Sequence, residues 1–184
     1  MEMNSVNPPS SIGRRKLASP RTQLDRGNWI ENAIDVLAHD GVGGLRVEVL
    51  AKRCGVTKGS FYWHFKDRQD LLAAILEHWK EGRIRDIEKT TSVTPGKERE
   101  QLHFAIEGYG ASRNRTGRSI ELAVRDWARH DPQAATVVEA VDLYRLECTR
   151  KLFVAAGMSD AEAKSRSLLL YACVFGLSLM HYTH

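Results

Sequence analysis

The apolar positions of this chain recur at helical spacing from about residue 28 onward. Trp29, Ile30, Ala33, Ile34, Leu37 and Ala38 fall three and four apart, the period of one buried helix face. Asn28 before them and Glu31 three positions on predict a capped start, and Gly41 predicts a stop, with a turn through Val42, Gly43 and Gly44 after it. Two short helices are expected at about 46–54 and 58–65. Asp67 then caps a long helix whose stripe is Leu71, Leu72, Ile75, Leu76 and Trp79 and which continues to about Thr90. Beyond a breaker at 91–96, helices are expected near 97–111, 118–130, 133–156 and 160–182, punctuated by Gly117, the Asp131-Pro132 pair and Gly157. No segment of any length alternates as a strand would, and there is no internal repeat. The pattern predicts an all-α fold.

Composition narrows the class without naming it. With 184 residues, 42% hydrophobic and 27% charged, the chain can bury a core without disulfides or metals. Its longest nearly charge-free run, 167–184, falls short of the ~20 apolar residues of a membrane span, so no membrane partner is expected. Residues 1–24 differ from the rest: Pro8, Pro9, Pro20 and the run Arg14-Arg15-Lys16 predict a solvated tail, or a basic arm that lies along a nucleic-acid backbone. That stretch lacks the apolar run of a signal peptide, and the residues after Arg14-Arg15 are too polar for a twin-arginine signal. Cys54, Cys148 and Cys173 form no CxxC pair, which suits reduced core thiols in a cytoplasmic protein. The formal net charge is +4, and its placement is uneven. Residues 1–68 hold 11 Lys+Arg against 7 Asp+Glu, whereas the remainder balances 16 against 16. A polyanion would meet the first third of the chain.

The most informative window is 47–66, VEVLAKRCGVTKGSFYWHFK. Two short helices joined by a tight turn need a small residue where they cross, a residue tolerant of positive φ at the turn, and apolar residues that set their angle. Ala51, Gly55, and the set Leu50, Cys54, Val56 and Phe61 meet those needs at helix-turn-helix spacing. Thr57 is placed to cap the second helix, with its N–H groups facing outward, and Gly59 lets the backbone come close to a phosphate or base edge. Phe61 and Phe65 share the inward face. Lys58, Tyr62 and Lys66 share another, with His64 beside it, and suit phosphate oxygens and base edges. Taken alone, Phe61 to Phe65 would fit a buried strand or helix of any fold; the register with Ala51, Gly55 and Thr57 selects the helix-turn-helix.

The segment Leu50-Ala51, then Gly55 through Lys66, with an acidic, leucine-rich helix start after it, resembles the TetR family of transcriptional regulators over about residues 26–80. The resemblance rests on the pattern G-V-[ST]-x-G-x-[FL]-Y-x-H-F. It implies a DNA-binding domain at 25–68 and a helical ligand-binding and dimerisation domain at 69–184, with the tail at 1–24 ahead of them. It also implies a homodimer that represses transcription from a palindromic double-stranded operator and is released by a small-molecule effector. By the same resemblance Thr57, Lys58, Gly59, Ser60, Tyr62, His64 and Lys66 lie nearest the DNA, and Arg46, Val47 and Trp63 complete the candidate set. Two positions depart from the pattern. Arg46 replaces the usual capping Thr and is expected to reach a phosphate instead, and Trp63 is bulkier than is common and is expected to pack on the domain edge.

The remaining chain matches only in general character. The resemblance places the dimer interface on helices 133–156 and 160–182, and the run Leu168 to Leu177, apolar on nearly every face, fits a helix touching both its own core and a partner. Trp79, Phe104, Tyr109, Trp127 and Tyr144 are candidate pocket residues. Glu121 and Arg125, four apart, read as a solvated surface pair. The seven histidines form no HxxxH or HExxH set, and no nucleophile elbow, Walker loop or dinucleotide fingerprint is present, so neither catalysis nor a cofactor nor a metal is expected. Two rival readings are a sequence-blind architectural DNA binder and an all-α enzyme or binding protein that keeps a helix-turn-helix shape.

Overall fold

The computed structural model describes residues 24–110 and 115–179. The expected arm up to residue 23, the side chain of Tyr109 and the last turn at 180–182 lie outside the described residues. Eight α-helices succeed one another, with no strand among the described residues: α1 (Arg26–Asp40), α2 (Val47–Arg53), α3 (Lys58–Phe61), α4 (Arg68–Thr91), α5 (Glu98–Gly110), α6 (Arg115–Ala128), α7 (Pro132–Ala155) and α8 (Asp160–Leu179). The all-α expectation holds.

Local chemistry sets most boundaries. Asp25, not Asn28, caps α1: its carboxylate accepts from the Asn28 N–H at 2.7 Å, and the Asn28 side chain accepts from the Asp25 N–H at 3.3 Å. Asn28 is therefore the third-position half of the capping box, and the helix begins earlier than its first apolar residue suggested. Gly41 stops α1 at φ +66, and Val42–Gly44 forms a 3-10 turn. Asp67 caps α4 as expected, accepting from the Asp70 N–H at 2.9 Å. Asp131 caps α7 through the N–H groups of Gln133 and Ala134, with Pro132 in the first turn, where its missing N–H costs nothing.

One apolar cluster runs through the molecule, from Trp29, Leu37, Leu50, Phe61 and Phe65 through Leu71, Ile75 and Trp79 to Val124, Trp127 and Val141. It joins the helix-turn-helix to the helices behind it, because α1 packs on α6 as well as on α4. α7 lies against α4, α6 and α8. No helix among the described residues is long and apolar enough to cross a membrane.

Candidate nucleic-acid interface

α2 ends in a Schellman turn. Gly55 takes φ +66, its N–H donates to the Lys52 carbonyl at 3.2 Å, and the Val56 N–H donates to the Ala51 carbonyl at 3.0 Å. Val56 then tucks its side chain against the core, which sets the direction in which α3 leaves. Ala51 is buried at the crossing, and Phe61 fills the space beneath it, edge-on to Trp29 at 5.5 Å and stacked on Phe65 at 5.2 Å. The guanidinium of Arg26 covers the outer face of Phe65 at 4.9 Å. Arg68, which sequence patterning did not single out, donates to the carbonyls of Leu45 at 2.6 Å and Val42 at 2.9 Å. It ties the α1–α2 connection to the start of α4; the sequence offers no local signal for a bond spanning more than twenty positions.

α3 is shorter than its pattern predicts. The Phe61 carbonyl accepts from both the His64 and Phe65 N–H groups, and Tyr62 to His64 form a turn rather than a second helical turn. Lys58, Tyr62 and Lys66 are all exposed, but they are not one helical stripe: Lys58 leads α3, Tyr62 lies just past its end and Lys66 precedes the next helix. Thr57 has extended backbone, and its hydroxyl makes no capping bond. With its side chain unused and exposed, Thr57 stays available to solvent or a partner. Arg46 likewise precedes α2 without capping it, and is exposed.

The expected contact residues divide by exposure. Arg46, Thr57, Lys58, Gly59, Tyr62, Trp63 and Lys66 are exposed, and Ser60 and His64 are half-buried. Val47 is buried at 9% exposure, packed with Leu50 and Ala51, so its side chain belongs to the core and only its backbone is near the surface. Trp63 corrects the other way. It is 86% exposed and packs on no domain edge, because the turn after Phe61 points it outward while Phe61 and Phe65 take the interior. Lys52 and Lys66 enter no ion pair among the described residues, whereas Lys58 touches the carboxylate of Glu48. Their hydrogen bond holds the Glu48 carboxyl below its usual range and the Lys58 ammonium above its own, so both stay charged at neutral pH.

Behind this surface, the residues expected to line a pocket are not brought together. Trp79 and Trp127 are core residues at 4% exposure. Phe104 is exposed, and Tyr144 is near the surface, donating its hydroxyl to Glu88 on α4 at 2.8 Å. The Glu121–Arg125 pair, read as solvated, is instead the centre of a half-buried network: Arg125 is 16% exposed and Glu121 14%. Arg125 donates to both carboxylate oxygens of Asp142 on α7, at 2.9 and 2.6 Å, and to Glu121 at 2.9 Å. It also meets the Tyr171 hydroxyl and lies 4.8 Å from the Phe175 ring centroid, both on α8. The Tyr171 hydroxyl in turn donates to Asp142 at 2.6 Å. Arg83 of α4 and Arg145 of α7 approach Glu121 at 3.9 and 4.0 Å. Burial pushes the Asp142 carboxyl up, but the bonds from Arg125 and Tyr171 outweigh it and leave it below its usual range. Beside this network an open groove of about 360 Å³ runs between α6 and α7, its lining including Arg125, Ala128, Arg129, Val138, Asp142 and Leu143. Cys54 and Cys148 are half-buried, but Cys173 is exposed and is not the core thiol expected.

These features define a class: a protein helical throughout its described residues, in which a helix-turn-helix packs on further helices that carry a polar network. Residues 30–75 of the chain match the family profile described as bacterial regulatory proteins, tetR family. The chain is 30% identical over 142 residues to the class A tetracycline repressor protein from transposon 1721 of Escherichia coli, an alignment covering 77% of this chain and 60% of that protein. The chain thus spans about three fifths of that relative's length. Among solved structures it resembles a transcriptional regulator from Rhodococcus sp. Rha1, with a TM-score of 0.69 at 22% identity over 85% of this chain and 82% of the other. It also resembles a Saccharomonospora viridis structure in complex with choline, with a TM-score of 0.69 at 18% identity over 84% and 83%. Both structural likenesses concern the fold.

Proposed function

We propose that the protein is a cytoplasmic, non-enzymatic transcriptional regulator that represses from a palindromic double-stranded operator and is released by a small-molecule effector. The observation that carries this reading is the exposed set Arg46, Thr57, Lys58, Gly59, Tyr62, Trp63 and Lys66, carried on a helix-turn-helix whose apolar side chains are packed in the core. Cations and hydroxyls displayed on a rigid scaffold fit a major groove, with phosphate contacts setting the register and base-edge contacts setting the sequence.

A homodimer would supply the second half-site reader. α8 leaves Leu168, Leu169 and Leu177 more than half exposed, and α7 leaves Leu143 so, apolar side chains that a second copy would cover. Release by an effector is supported by the layout of the helices. α6 touches α1 directly and is bonded through Arg125 to α7 and α8, and Arg83 brings α4 to the same network. A ligand that favours one arrangement of α6 against α7 would therefore shift the helix-turn-helix with it. The tetracycline repressor and the choline complex are relatives whose names carry small molecules; which effector fits this chain is for a ligand screen to find.

The test is a fluorescence-anisotropy titration of the full chain against DNA upstream of its own gene, with random duplex as the control, at two salt concentrations. Binding at least ~10³-fold tighter than to random DNA is the expected result. Equal, steeply salt-dependent binding to both would favour the architectural reading. No binding to either would end the DNA-binding reading.

A further inference from the structure

Glu48 is the only acidic residue between Val47 and Lys66, in a stretch that also holds Lys52, Arg53, Lys58 and Lys66. It is exposed on α2, whose buried residues are Val47, Leu50 and Ala51. Its carboxylate touches the ammonium of Lys58, the first residue of α3, and both side chains remain more than half exposed. The other ion pairs near the helix-turn-helix sit elsewhere. Arg53 pairs with Asp35 on α1, and Asp70 is engaged with Arg26 and the Lys66 N–H at the start of α4.

A carboxylate is the wrong group to bring against phosphates, and beside the leading cation of the recognition helix it weakens binding to any DNA backbone. Two groups in the major groove can donate to it, the N4 amino group of cytosine and the N6 amino group of adenine; the N7 acceptor beside the adenine amino group repels a carboxylate, so cytosine is the better partner. The partner guanine on the same base pair offers O6 and N7, acceptors suited to an ammonium. A touching carboxylate and ammonium present that pair of complements in one step.

Building on the DNA-binding reading above, we propose that Glu48 and Lys58 act together as a specificity element that selects a G·C pair in each half-site, with Lys58 on guanine and Glu48 on cytosine, while Glu48 disfavours binding elsewhere. Arg46 lies two residues away and contributes only positive charge, so the acid in this corner is Glu48 alone. On non-cognate DNA the carboxylate keeps Lys58 occupied and repels the backbone. On the cognate pair both groups are satisfied at once.

The test is selection of binding sites from a random duplex library by the full-length protein and by Glu48→Ala, with Glu48→Gln as a second variant and melting curves to confirm folding. Glu48 is exposed and outside the core, so both variants should melt as the parent does. The parent is expected to select half-sites with a fixed G·C pair, and Glu48→Ala to lose that preference by about tenfold. With Lys58 free for phosphate, the slope of log K against log salt on random duplex should steepen by about 0.9. If Glu48→Ala selects the same base with the same strength, the inference is overturned while the operator reading stands. If the parent selects no sequence, both fall.

Discussion

Replacing Asp142 with Ala removes the partner that Arg125 meets through two hydrogen bonds, and the cost can be worked from the surroundings. An exposed ion pair contributes little, about 0–1 kcal/mol, and a fully buried one costs about 3–5 kcal/mol when one partner is deleted. Arg125 is 16% exposed and would keep its bond to Glu121 at 2.9 Å, while the Tyr171 hydroxyl would lose its acceptor. The loss should lie between those limits, at about 2–3 kcal/mol. Urea denaturation read by tryptophan fluorescence would show this as a midpoint lowered by about 1 M, with the slope unchanged. A double cycle with Arg125→Leu should return a coupling of at least about 1 kcal/mol. The pH dependence checks the same idea. The folded pKa of Asp142 is depressed, so its contribution is present above the ordinary carboxylate range and fades as pH falls through the lower, folded value. Stability should therefore drop less on acidification in Asp142→Asn than in the parent. A cost below about 0.5 kcal/mol, with no coupling, would mean that the pair is the solvated surface feature its spacing suggests.

Neighbouring aromatics should behave oppositely. Phe61→Ala, at 0% exposure between Trp29 and Phe65, is expected to cost about 3–5 kcal/mol in the same denaturation assay. Trp63→Ala, at 86% exposure, should leave stability within about 0.5 kcal/mol yet weaken operator binding; the reverse pattern would contradict the placement of the two rings. Gly59→Ala is a test of close approach. An added Cβ meets only Thr57 Oγ1, at an ordinary 3.7 Å, so melting should hold while operator affinity falls by about tenfold in anisotropy titrations. Unchanged affinity would mean that the backbone there stays clear of DNA. Leu169→Glu, on the 64% exposed apolar face of α8, should shift the sedimentation profile toward the monomer, and an unmoved dimer would place the interface elsewhere.

Whatever short-range chemistry controls was legible in the chain before any packing was known. Apolar spacing of three and four placed every long helix to within a few residues, because the α-helical period is a property of neighbouring positions. Asp67, Gly41 and Gly55 marked their boundaries because a cap or a positive φ is satisfied within one turn of chain. The register of Ala51, Gly55 and Phe61 was enough to assign the helix-turn-helix.

Which face of each element is covered was settled only by the packing of the helices. Val47 turned inward with Leu50 and Ala51 on the buried face of α2, and Trp63 turned outward in the turn after Phe61, whose ring packs on Trp29 more than thirty positions away. Spacing of four makes Glu121 and Arg125 neighbours on α6 but says nothing about what lies over them. Asp142, 17 positions from Arg125, and Tyr171, 46 positions from it, close over the pair and turn a surface ion pair into a half-buried one. Trp79 and Trp127, aromatic and so equally suited to a pocket wall or a core, became core because they join the one buried cluster shared by α1, α4, α6 and α7. Burial is a property of the packed helices, and no local pattern carries it.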